Sequence, residues 1–146
     1  MVSNKRASFD FELIEKIEAG AALLGTEVKA LRNGLGKLEG SHIIVRGDEA
    51  FLVGASIPAF QKANAPKDYD PERPRKLLLS QKEIKHLREK SEAQGLTVVG
   101  IKWYNKGKSL KIEIAVARGK KKADKRQSIK ERDTKRDIER ELKQKF

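Results

Sequence analysis

Cations at regular spacing are the first chemistry this sequence offers. In Gly25-Thr-Glu-Val-Lys-Ala-Leu-Arg32, Lys29 and Arg32 are three residues apart, which puts both on one face of a short helix, with Glu27 close by. Two cations so placed suit a phosphate clamp, although a solvated helix face would look the same. Arg73, Arg75 and Lys76 follow in Asp70-Pro-Glu-Arg-Pro-Arg-Lys76. There the prolines stiffen the chain and suit the presentation of guanidinium groups to a polyanion. In Ser109-Leu-Lys-Ile-Glu-Ile-Ala-Val-Ala117, Leu110, Ile112, Ile114 and Val116 alternate with Lys111 and Glu113. This is the pattern of a half-buried strand with a wet face on which Lys111 can meet a phosphate.

Catalytic groupings are harder to find. His42 lies in a strand-like run and His86 in a helix-like one, and both read as ordinary sheet and surface residues. Asp68 and Asp70 could hold magnesium, but acids in such a loop usually form turns. With no cysteine there is no disulfide, thiolate zinc site or cysteine nucleophile. Neither a phosphate-cradling glycine loop nor a nucleophile elbow is present. The expectation is a binding protein rather than an enzyme, with no metal and no cofactor.

The partner class follows from charge. Over 146 residues, 33 Lys and Arg stand against 21 Asp and Glu, a net +12, and the isoelectric point is about 9.9. Such a surface draws polyanions. No apolar run approaches the ~20 residues that span a bilayer, and Met1–Asp10 lacks the apolar core of a secretory signal. A soluble, cytoplasmic protein with no membrane partner is expected.

Several elements must position these residues. Gly40–Gly47 and Glu49–Gly54 read as a hairpin, and Leu96–Tyr104 with Ser109–Ala117 as a second around Asn105-Lys-Gly-Lys108. Ser80-Gln-Lys-Glu83 has capping-box spacing and opens a helix from Ser80 to Gln94. Thr26 to Asn33 reads as a short helix closed by Gly34, and Ala59 to Pro74 as a loop. Phe11 to Leu24 is ambiguous, with periodicity leaning towards helix. Short strands with two helices and no βαβ alternation indicate a small antiparallel barrel flanked by helices, mainly β with some α.

Apolar residues are dense to about Val116 and then nearly vanish. The boundary falls at Ala117 to Gly119, dividing a barrel domain (1–118) from a basic tail (119–146). From Arg118 to Phe146 the chain carries 13 basic and 6 acidic residues, which is +7 of the net charge. That composition cannot offset its own ordering entropy, so disorder is expected in isolation. As a helix, Asp124 to Phe146 would extend ~35 Å. Lys125, Arg132, Arg136 and Arg140 would cluster on one face, with Thr134, Ile138, Leu142 and Phe146 on another. The arginines repel one another until a polyanion relieves them, which makes the helix conditional on RNA.

More specific strings occur in order: Glu18-Ala-Gly20, Gly25-Thr-Glu-Val-Lys-Ala-Leu-Arg32, Asp70-Pro-Glu-Arg-Pro-Arg-Lys-Leu-Leu-Leu79, Gly119-Lys-Lys121 and Asp124-Lys-Arg126. Together the chain resembles the SsrA-binding protein family along nearly its whole length. The resemblance implies an oligonucleotide-binding-type barrel, with Phe11–Leu24 mainly a strand. It also implies binding of the tRNA-like domain of transfer-messenger RNA and its delivery to stalled ribosomes for trans-translation.

Glu18, Leu78 and Lys111 match family positions tied to RNA binding. On spacing alone, Leu78 reads as core. Lys120, Lys121, Asp124, Lys125, Arg126, Arg132, Arg136, Ile138, Arg140 and Leu142 fall in the tail that enters the vacant decoding site. The implied partners are transfer-messenger RNA, the small-subunit decoding region with its rRNA, and the elongation-factor-delivered alanyl complex, met by a monomer. Relatives often carry an aromatic or His where this chain has Ala123, which puts in doubt the base stacking expected there, a contact worth ~1–3 kcal/mol. Gly100 replaces a common Pro and reads as backbone variation without functional consequence. On electrostatics alone, a generic barrel RNA-binding or ribosomal protein with an rRNA-threading tail would fit as well.

Overall fold

In the computed structural model, which describes residues 2–60 and 67–120, the ambiguous stretch Phe11–Ala21 is a strand, β1, with alternating exposure. Long-range pairing decides it. β1 runs antiparallel to β6 (Ser109–Gly119) from Phe11 opposite Gly119 to Ala19 opposite Ile112, and then meets β4 (Arg75–Leu78) at Gly20 and Ala21. A one-residue bulge after Leu13 turns Ile14 outward. A four-residue helix, α1 (Ala7–Asp10), precedes β1 and was not foreseen.

Both expected hairpins form. β2 (His42–Arg46) pairs with β3 (Glu49–Val53), and β5 (Leu96–Lys106) with β6. Each turns on two residues whose first is a glycine at positive φ: Gly47 at 58° and Gly107 at 61°. The second turn is therefore Gly107-Lys108, shorter than the expected Asn105–Lys108, because strand pairing continues through Lys106 and Ser109.

The strands close into an antiparallel barrel in the order β1-β4-β3-β2-β5-β6. β4, which follows the expected loop and was not assigned to a strand from sequence, is the stave between β1 and β3. β2 meets β5 at His42 and Val99, and a helix, α3 (Gln81–Glu92), packs against both strands.

Two helices complete the core. α2 (Gly25–Arg32) contributes Ala30 and Leu31, and α3 (Gln81–Glu92) contributes Ile84 and Leu87. The α3 capping box forms as its spacing requires, with the Glu83 amide donating to Ser80 Oγ and the Ser80 amide to Glu83 Oε1, each at 3.2 Å. The inward residues of β6, Ile112, Ile114 and Val116, pack with Ile43, Leu52, Leu77, Val98 and Trp103. Each such burial contributes ~1.5–3 kcal/mol.

Gly100 has a steric reason. A Cβ there would stand 2.8 Å from Ser41 Oγ and 3.3 Å from Leu38 Cδ2, so the wall packs against bare backbone. Residues 2–4 lace over the same strand, with the Trp103 amide donating to the Val2 carbonyl at 2.8 Å and Asn4 Nδ2 to the Gly100 carbonyl at 2.9 Å.

Candidate nucleic-acid interface

Strand alternation assigns the outer wall. On β4, Arg75 and Leu77 point inward while Lys76 and Leu78 point out. Leu78 is consequently 58% exposed, which corrects its reading as core: the first two leucines of the run lie on a strand, where parity sends the second to solvent. On β1, Glu18 and Gly20 share the outer side. On β6, Lys111 lies opposite Tyr104 of β5, and Glu113 opposite Lys102.

These assignments converge at one shallow cleft of about 300 Å³, lined by Gly20, Leu78, Lys111, Arg32, Val28 and Leu110 among others. Gly20 is its floor. A Cβ at that position would lie 3.4 Å from Leu78 Cβ and 3.6 Å from Lys111 Nζ, so the bare backbone lets an apolar side chain and an ammonium flank one depression. Arg32 borders the cleft from α2, with Nη2 donating to the Lys108 carbonyl at 2.9 Å and tying the helix to the β5–β6 turn. Lys29 is exposed on the last turn of α2.

Beside the cleft runs a charged strip. Lys106 Nζ donates to both Glu18 oxygens, at 3.1 and 3.3 Å. Hydrogen bonds from Tyr104 and Lys106 hold the Glu18 carboxyl below its ordinary value. Burial and the same bond push the Tyr104 hydroxyl up to about 12. Glu113 is bracketed by Lys102 at 3.4 Å and Lys16 at 3.6 Å. Lys111 makes no salt bridge with a described residue. Its ammonium is therefore available to a phosphate.

The structure removes two expected contacts from this surface. Glu27 and Arg75 are fully buried, and their spacing in the short helix and the proline-stiffened segment gave no sign of it. Arg75 donates from Nε and Nη2 to Glu27 Oε2, from Nη1 to the Ala55 carbonyl, and from Nη2 to the Pro71 carbonyl. Arg73 bonds Glu27 Oε1, which also accepts from the Leu24 amide, and Tyr69 reaches Glu27 Oε2 at 3.0 Å. Burial alone would raise the Glu27 carboxyl, but the Leu24 amide and the two arginines outweigh it and hold it below the ordinary value. The cluster ties α2 to β4 and to the proline-rich loop.

Arg73 is half-buried in that cluster, and Lys76 is exposed beside Glu49 at 3.4 Å. Lys120 ends the described chain, its amide donating to the Asp10 carbonyl at 2.9 Å. Lys121, Asp124, Lys125, Arg126, Arg132, Arg136, Ile138, Arg140 and Leu142 lie outside the described residues, as does Ala123. Sequence reasoning passed over Gly20, Tyr104 and Lys106. The period-two row Lys102, Tyr104, Lys106 held the signal for the last two.

Fold and site together define a closed antiparallel barrel whose outer wall carries a small cleft where Leu78 meets Lys111 and Arg32. The chain belongs to the SmpB protein family, whose model matches residues 1–144. An SsrA-binding protein from Oleidesulfovibrio alaskensis is 47% identical over 97% of this chain and 91% of its own length. One from Trichodesmium erythraeum is 45% identical, covering 97% and 90%. A chain of the solved structure described as "tmRNA-SmpB: a journey to the center of the bacterial ribosome" is similar at 41% identity and a TM-score of 0.69, covering 82% of this chain and 84% of that one.

Proposed function

We propose that this chain binds the tRNA-like domain of transfer-messenger RNA on its outer barrel wall and delivers it to stalled ribosomes in trans-translation. The observation that carries this reading is the cleft in which Leu78, Gly20 and Lys111 meet beside Glu18 and Arg32. The exposed Leu78 suits a ribose or base, and the ammonium on the other flank suits the adjoining phosphate. Glu18, Lys29, Arg32, Leu78 and Lys111 are the contact residues of this reading, with Lys76 and Arg73 peripheral. Glu27 and Arg75 act indirectly, by holding α2 in place.

Residues 1–118 form the RNA-capturing unit in this reading, and residues 119–146 act at the vacant decoding site of the small subunit among rRNA phosphates. The alanyl RNA complex carried by an elongation factor is the form delivered. The work is done in the cytoplasm by binding alone, with no reaction at the cleft. A pull-down of the full chain followed by RNA sequencing tests the proposal. A single enriched tRNA-like RNA is the expected result, whereas a broad set of transcripts would indicate a generic RNA-binding barrel.

A further inference from the structure

The outer wall continues past the cleft. On β4, Lys76 is the outward residue next to Leu78, and it lies opposite Phe51 of β3. Phe51 in turn lies opposite Ile44 of β2, and Val53 opposite His42. Strand parity sends this set outward, while Ile43, Ala50 and Leu52 between them fill the core. The result is a shallow depression of about 510 Å³ lined by Ile44, Phe51, Val53 and Pro74, with Arg46 and Glu49. Arg46 and Glu49 face each other beside the Gly47-Asp48 turn, at one end of it. The Glu49 carboxylate accepts from Lys76 Nζ at 3.4 Å, which offsets its charge. Arg46 is exposed and makes no salt bridge with a described residue.

We propose that this face is a second nucleotide subsite, where an unpaired base of the bound RNA stacks on the Phe51 ring and Arg46 holds a phosphate of the same strand. This rests on the RNA-binding reading above. A half-buried aromatic among aliphatic side chains offers its π-face to any base, and a cation beside it takes up the backbone that comes with the base. The subsite adjoins the cleft: Leu78 and Lys76 are ~6.6 Å apart along β4, and β3 lies ~4.8 Å across from it. Charge selects the occupant. Arg46 and Lys76 outnumber Glu49, which favours a polyanion over a second copy of a chain that itself carries +12.

The test titrates the full chain and three variants with a synthetic tRNA-like domain at several salt concentrations. Phe51→Leu keeps an apolar side chain but removes the ring, and should weaken binding about five- to twentyfold with the salt slope and circular dichroism unchanged. Arg46→Ala should weaken binding and lower the salt slope by about one. Phe51→Trp should bind as well as wild type, and its added fluorescence should be quenched by RNA, since the native Trp103 is only 2% exposed. That quenching decides the matter even where Phe51→Leu unfolds. Undiminished binding by Phe51→Leu, an unchanged salt slope in Arg46→Ala, or an unquenched Phe51→Trp that still binds would each overturn the subsite. Phe51→Leu that keeps RNA affinity but loses peptide tagging, or that changes oligomeric state, would overturn it too and assign the face to a protein partner or to a second copy. A wild-type chain that ignores the probe would instead overturn the RNA reading itself, a result distinguishable from these.

Discussion

Arg75 places two donors, Nε at 2.9 Å and Nη2 at 2.7 Å, on a single oxygen of Glu27, and both side chains are sealed from solvent. Desolvating such a pair offsets much of its attraction, but removing one partner strands the other. Arg75→Met should therefore destabilise the fold by about 3–5 kcal/mol in urea unfolding. Glu27→Leu combined with Arg75→Met should lose less than the sum of the single variants, since the two are coupled.

The same pair sets a pH dependence. The Glu27 carboxyl titrates lower in the folded protein than its ordinary 4.5, so the unfolded chain binds the proton more readily. Its stabilisation is fully present above that ordinary value and is lost as pH falls through the folded one. Urea midpoints measured from pH 6 downward should fall in acid, and Glu27→Gln should flatten that fall.

Lys111→Glu should weaken RNA binding at least tenfold and reduce its salt dependence by about one counterion or more, with circular dichroism unchanged. Gly20→Val tests the cleft separately from its charge. Added methyl groups between Leu78 and Lys111 fill the depression, so affinity should drop while the β-branched side chain is tolerated in the strand. Normal binding by both variants would relocate the interface.

Gly100→Ala should cost about 1–3 kcal/mol in thermal or urea unfolding, because its methyl must displace Ser41 Oγ and crowd Leu38 and Leu52. Pairing it with Ser41→Ala should recover part of the loss. RNA affinity of the folded fraction should be unaffected.

Residues 119–146 should govern ribosomal activity separately from RNA capture. Replacing Lys125 and Arg126 by Glu, or deleting 124–146, should abolish peptide tagging in a reconstituted reaction and leave most RNA affinity intact. Replacing Ile138 and Leu142 together should impair tagging more than replacing Lys143, because a helix docked on rRNA needs its apolar face as well as its charge.

Local chemistry was legible where one short-range rule decides the outcome. Ser80 and Glu83 announced a helix start, Gly47 a hairpin turn, and the alternation from Leu110 to Val116 a strand with Lys111 outside. Where distant pairing decides, spacing misled. Phe11, Ile14 and Ile17 have helical intervals, yet β6 and β4 draw them into a strand. Glu27 and Arg75 looked like surface charges, since only the fold brings residues 48 apart into one sealed pair. The leucine of the triple run that faces solvent became clear with strand parity. Glu18, Leu78 and Lys111 entered by family resemblance. Gly20, which lets Leu78 and Lys111 flank one depression, did not stand out on its own.

The meeting of β2 and β5 at His42 and Val99 has a mechanical consequence. Every other seam has at least two backbone pairings, whereas here there is one, and α3 lies across both strands. Packing of Ile84 and Leu87 into the core therefore reinforces the cylinder at this point. Loosening that helix would uncouple the stitching, letting the barrel open along one line like a split cuff while β1, β5 and β6 stay joined. Amide hydrogens of β2 beyond His42 should accordingly exchange with solvent ahead of those shared by β1 and β6, and a frayed α3 cap should hasten them further.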